Sequence, residues 1–166
     1  MLPSEAASQQ YLSFALGEEV FAVNVQQVKE ILDVINITRV PQMPDYMLGV
    51  INLRGSVVPV VDLRCKFGME KKEQNQENCI VVLEVDFDGE RVVIGALTDA
   101  VREVLDLTAD QIEPPPRMGM KLKSEFIRGM GKQGESFIII LDIDKIFSSD
   151  ELCTISAAEG MEGAGE

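Results

Sequence analysis

The chain has 166 residues, 46% of them hydrophobic, and a net charge of -13. That apolar content excludes wholesale disorder, and so acidic a surface with no basic stripe argues against nucleic acid and anionic lipid, which are held through Lys and Arg. There is no histidine, which removes His-based acid–base chemistry, Ser–His and Cys–His nucleophile pairs, and His metal ligands.

Residues 1–8 are small and polar and read as a mobile tail. They lack a basic n-region and an apolar h-region, so they are no secretory signal, and no apolar run in the chain reaches bilayer length. The expectation is a soluble, cytoplasmic protein without direct membrane insertion. Tyr11 to Leu16 and Val20 to Val23 flank Gly17-Glu18-Glu19 as a hairpin. Val28-Lys29-Glu30-Ile31-Leu32-Asp33-Val34 has apolar residues at 28, 31 and 32, spaced for a helical turn, while its β-branched content suits a strand; a short helix running into a strand is expected. Leu48 to Leu53 and Val57 to Asp62 flank Arg54-Gly55-Ser56 as another hairpin, with Pro59 expected at an edge or a bulge. Asp62 stands as N-cap before a short helix, Leu63 to Phe67. The polar run Lys71 to Asn78 is the natural linker.

Beyond it, Ile80 to Val85 and Arg91 to Ala96 flank Asp86-Phe87-Asp88-Gly89-Glu90, and Asp-Gly favours a tight turn over a calcium loop. Val101 to Leu107 repeats the heptamer at 28. Pro114-Pro115-Pro116 is a stiff connector. Gly129-Met130-Gly131-Lys132-Gln133-Gly134 precedes a strand rather than a helix, so a flexible hairpin is expected there and no phosphate cradle. Phe137 to Leu141 reads as a strand. Asp142 takes the N-cap place before the short helix Ile143 to Phe147, with Asp144 on its solvent face, and Ser148 to Glu151 has capping-box spacing for a C-terminal helix before a Gly-rich acidic tail. Cys65, Cys79 and Cys153 form no Cys-x-x-Cys; reduced, buried thiols are expected.

The chain is a duplication. Val28 to Val34 recurs at Val101 to Leu107 and Pro41 at Pro114, an offset of 73; Gly49 recurs at Gly129 and the run 57–67 at 137–147, an offset of 80. Each copy holds about five short strands, which close into a small barrel because closure removes exposed edges. Two tandem five-stranded SH3-like barrels with short helices, an all-β fold class, are therefore expected, with a single large sandwich as the alternative. The expected division is a tail at 1–8, barrel one at 9–68, a linker at 69–78, barrel two at 79–147, and a helix and acidic tail at 148–166. Arg54 interrupts the symmetry, since copy two has no arginine at that hairpin. It is either a surface charge beside a turn glycine or an anchor whose planar fork holds a carboxylate, with Glu30 the candidate.

From about Tyr11 to Phe147 the chain resembles the CheW-like domain family of chemotaxis coupling proteins. The carriers are Val28-Lys29-Glu30-Ile31, Gly49-Val50-Ile51-Asn52-Leu53-Arg54-Gly55, Val58-Pro59-Val60-Val61-Asp62-Leu63-Arg64, and Arg117 to Gly131. Their order and spacing make the signal specific. The resemblance implies a scaffold with no catalytic residue, cofactor or metal. It implies two partners, the cytoplasmic tip of a methyl-accepting chemoreceptor and the regulatory domain of the histidine kinase CheA, met at receptor arrays beneath the inner membrane. It places Val28, Glu30, Gly49, Asn52, Leu53, Arg54 and Gly55 at the partner surfaces, with Glu30 and Arg54 paired. The alternative is a scaffold of the same fold in a receptor–kinase system outside chemotaxis.

Overall fold

The hairpins that open the two copies form where the sequence predicts them, and then change places. The computed structural model describes residues 9–33, 37–39, 41–69, 78–87, 89–115 and 126–146. In copy one the strands are β1 (Gln9–Leu16), β2 (Glu19–Asn24), β3 (Val28–Asp33), β4 (Met47–Leu53) and β5 (Ser56–Asp62), followed by the helix α1 (Leu63–Lys66). In copy two they are β6 (Cys79–Phe87), β7 (Glu90–Thr98), β8 (Ala100–Leu107), the two-residue β9 (Ile112–Glu113), β10 (Ile127–Gln133) and β11 (Ser136–Leu141), followed by α2 (Ile143–Ile146). The expected tails, the helix after 147, most of the linker and the segment after Pro115 lie outside the described residues.

Two sheets result, in the orders β8-β1-β2-β11-β10-β9 and β3-β6-β7-β5-β4. The β1–β2 hairpin of copy one thus sits among the strands of copy two, and the β6–β7 hairpin of copy two among those of copy one. The exchange keeps the two sequence offsets. In the parallel pairings Val60 stands opposite Gly95 and Ile140 opposite Ala22, so 60 maps to 140 and 22 to 95. The fold is mainly β, two SH3-like units from an internal duplication, as expected. The sheets do not follow the contiguous division at 9–68 and 79–147, because each hairpin pairs outside its own copy.

Burial explains the exchange. β1 carries six consecutive buried residues, Tyr11 to Leu16, so both faces of that strand need cover. Leu12, Phe14 and Leu16 enter a core shared by the two sheets, together with Phe21, Val81, Leu83, Val85, Ile94, Ile139 and Leu141. The other faces fill one core per barrel. Tyr11, Ala22, Leu105, Leu107, Ile138 and Ile140 form one, and Ile51, Val58, Val60, Ile80 and Val82 the other. Each fully buried large side chain contributes about 1.5–3 kcal/mol, so the shared core is a principal source of stability. Its aromatic row, Phe14, Phe21, Phe67 and Phe126, has ring centroids 5.8–6.3 Å apart and crosses from copy one to copy two.

Several local expectations change. The described part of the first heptamer, Val28–Asp33, and all of the second, Val101–Leu107, are strand, and the one 3-10 turn nearby, Val25–Gln27, precedes the first heptamer rather than opening it. Strict alternation of half-buried and exposed residues along β3 shows period two prevailing over the helical spacing. The Gly129 to Gln133 run is itself strand, β10. A Cβ on Gly129 would stand 2.5 Å from Ile112 Cγ2, so its glycine admits a close neighbour rather than a loop. Pro59 sits inside β5, not on an edge, but one residue before the pairing with β7 begins, where its missing N–H has only β4 beside it. Cys65 and Cys79 are half-buried rather than buried.

Candidate functional site

Two residues make the β4–β5 turn, and both have left-handed backbone, Arg54 at φ +52 and Gly55 at φ +87. Such a pair matches the twist of a tight hairpin. Copy two places Gly134, φ +62, where copy one has Arg54. Arginine adopts this backbone at a cost of about 1 kcal/mol that glycine avoids. Asn52 holds the turn, its Oδ1 accepting a hydrogen bond from the Gly55 N–H at 2.8 Å.

From that turn the guanidinium reaches Glu30 on β3. Arg54 Nη1 donates to Glu30 Oε2 at 3.0 Å and Nη2 to Oε1 at 2.5 Å, a two-point fork on one carboxylate. The Arg54 side chain is 74% exposed and that of Glu30 25%. Glu30 stands opposite Val82, next to a bulge between Val28 and Glu30. In copy two the matching Glu103 lies at a bulge as well, but there a buried serine serves it. Ser13 Oγ donates to the Glu103 carbonyl at 2.8 Å and accepts from its N–H at 3.0 Å. No arginine reaches Glu103 among the described residues.

The other expected site residues surround this pair in different roles. Gly49 is buried at the bulge of β4, at φ +151, and a Cβ there would meet the Thr38 carbonyl oxygen at 2.2 Å. That approach allows the bridge in which Thr38 and Val50 exchange two backbone hydrogen bonds of 2.8 Å. Val28 is half-buried against the shared core, and Leu53 against the core of its own barrel. The structure thus joins Glu30 to Arg54 and Asn52 to Gly55. Val28, Gly49 and Leu53 shape the backbone and packing nearby.

Beside the pair lies a cluster that sequence reading missed. Glu84, on the exchanged hairpin, takes Lys29 at 3.0 Å and Arg91 at 3.0 Å. The Lys29 hydrogen bond is the largest effect on the Glu84 carboxyl; desolvation, the next, opposes it, and with the charges of Lys29 and Arg91 added the carboxyl is held below its ordinary value of 4.5. Contacts between residues 29 and 84 leave no local spacing to read. A second missed feature was legible in the repeat. Ile31 and Val104 occupy the same place in the two heptamers, and both remain exposed, at 43% and 52%.

The ends of the exchanged hairpins are also tied down in related ways. The Gly17 N–H donates to Asp99 Oδ2 at 2.7 Å, and Arg64 of α1 holds Asp99 through Nε and Nη2 at 2.8–3.1 Å. In the other half the Asp86 N–H donates to Asp144 Oδ1 at 2.9 Å, directly on α2. Asp144, expected on a solvent face, thus accepts from Asp86 and also from Gln27 Nε2 at 3.1 Å. Asp62 caps α1 as expected, accepting from the Arg64 and Cys65 N–H groups.

Among the described residues no group of three or more His, Cys, Asp or Glu is arranged to hold a metal ion, and no helix is long and apolar enough to cross a membrane.

Residues 10–151 match the model of the CheW-like domain. The chain is 38% identical to the chemotaxis protein CheW of Klebsiella aerogenes over 154 residues, 93% of this chain and 90% of that protein. It is 35% identical to CheW of Thermotoga maritima over 153 residues, 90% of this chain and 91% of that one. The crystal structure of the scaffolding protein TtCheW from Thermoanaerobacter tengcongensis superposes with a TM-score of 0.77 at 31% identity, covering 86% of this chain and 90% of that one.

Proposed function

The chain belongs to the CheW-like domain family, and we propose that it joins the cytoplasmic tip of a chemoreceptor to the regulatory domain of a CheA-type histidine kinase. As a member of that family it is a coupling adaptor of chemotaxis signalling, and nothing favours a system outside chemotaxis. Its work is binding rather than catalysis, and its place is the cytoplasmic face of receptor arrays.

The observation that carries the site is the Glu30–Arg54 fork. An ion pair this exposed contributes only about 0–1 kcal/mol to folding, yet Arg54 accepts an unfavourable backbone to make it. Strain kept where it does little for stability points to recognition. Val28, Gly49, Asn52, Leu53 and Gly55 present the pair to a partner, while the exposed Ile31, next to Glu30 on β3, faces the other way.

Titration of the chain with a receptor-tip peptide and, separately, with a CheA regulatory domain tests this reading. Saturable binding to both is expected, with chemical-shift changes in a labelled chain around Val28, Glu30 and Arg54 for at least one of them. Absence of binding to either partner overturns it.

A further inference from the structure

The exchange of hairpins carries a consequence for how the two halves behave. The β6–β7 hairpin lies at the middle of the sheet that bears Glu30 and Arg54, between β3 and β5. The β1–β2 hairpin lies in the same way between β8 and β11. Removing either copy therefore takes two interior strands from the barrel of the other and strips the shared core from both. The registers preserve both offsets of the sequence repeat, so each copy meets the other as it would meet a second copy of itself. In a symmetric dimer of one such unit, each protomer would insert its first hairpin into its partner, which is the geometry of a swapped dimer.

We infer that copies one and two act as complementary subunits of an intramolecular dimer, joined by residues 70–77 as a tether, and that neither barrel opens without the other. A partner seated at Glu30 and Arg54 then bears on strands that belong to both copies, and the two barrels respond as one unit. This inference rests on the strand pairing alone and stands whichever partners the protein serves.

A specific protease site flanked by Gly and Ser, placed within residues 70–77 of the full chain, tests it. The uncut insert is first shown to melt like the parent. After cutting, the two pieces are expected to elute together at the size of the uncut chain and to melt in a single transition. The midpoint should rise with protein concentration after the cut, and only then, because a native state of two separate molecules is favoured by mass action. Pieces that elute apart, folded or unfolded, overturn the inference, as do two transitions independent of concentration.

Native-state hydrogen exchange on the uncut chain is a second test that needs no cut. The slowest amides of β1–β2 and of β6–β7 should share one protection level within about tenfold. A barrel whose slowest amides exchange far faster than those of the other opens alone and contradicts the inference.

Discussion

Arg54 and Glu30 stand at opposite edges of one sheet, and their ion pair joins those edges. Glu30 belongs to β3, the first strand in the order β3-β6-β7-β5-β4, and Arg54 follows the last, β4. The pair thus spans the seam of the barrel. Copy two has Gly134 in place of Arg54, and among its described residues no arginine closes the matching edge on Glu103.

Arg54→Gly separates folding from recognition. It removes an exposed ion pair worth about 0–1 kcal/mol and frees a strained backbone position, while glycine adds about 0.5–1 kcal/mol of unfolded-state entropy. The three effects largely cancel, so stability by urea titration should stay within about 1 kcal/mol of the parent. Partner affinity should fall at least tenfold. A variant that binds receptor tip and kinase domain with parental affinity removes Arg54 from the partner surface. A double-mutant cycle of Arg54→Ala with Glu30→Ala, read in binding, should give a coupling of about 0.5–2 kcal/mol.

Gly49→Ala acts through the backbone. Its Cβ would stand 2.2 Å from the Thr38 carbonyl oxygen, closer than any unstrained contact. The Thr38–Val50 bridge must open or β4 must shift. A loss of about 2 kcal/mol or more is expected, measured by chemical denaturation, together with weaker partner binding because the displaced strand leads into the Arg54 turn. A melting curve that superposes on the parent's contradicts this account of Gly49.

These two variants show what the sequence made legible. The break at Arg54, the candidate carboxylate Glu30 and the turn glycine could be read from a duplication whose copies differ at one hairpin. The hairpins themselves were local and hence readable, since Gly17 and the Asp-Gly near 89 mark turns between apolar runs. What each hairpin pairs with was not. A strand such as β1, apolar on both faces, announces that it is covered twice without saying by which strands, and the strands that flank its hairpin, β8 beside β1 and β11 beside β2, come from the other copy. The Lys29–Glu84 pair was hidden for the same reason, because it exists only once the hairpins have exchanged.

Acid should weaken the chain partly through Glu84. Its carboxyl is held below the ordinary value of 4.5 in the folded state by Lys29 and Arg91. A carboxylate whose folded value is depressed contributes stability above its unfolded value, and that contribution is lost as pH falls through the folded one. Glu84→Gln removes it, so the variant should be less stable than the parent near neutral pH and converge on it as pH falls through the folded value. Added salt should narrow the gap at neutral pH, since the cluster is open to solvent. A difference between parent and variant that stays constant from pH 7 to pH 3 excludes this linkage.

The Arg64–Asp99 pair is a structural lock rather than a recognition element. Its side chains are 12% and 15% exposed, and Asp99 also accepts from the Gly17 N–H at the tip of the exchanged hairpin. Removing one partner from so enclosed a pair leaves the other charge poorly solvated, at a cost of about 2–4 kcal/mol, toward the low end where water still reaches the groups. Arg64→Ala should therefore destabilise the chain more than Arg54→Ala, although Arg54 makes the fuller display at the surface. Because Asp99 anchors β1–β2 to the barrel of copy two, faster hydrogen exchange should appear first at Gly17 and its neighbours. A loss below about 1 kcal/mol for Arg64→Ala, in urea titrations beside the parent, would place this pair with the surface ion pairs instead.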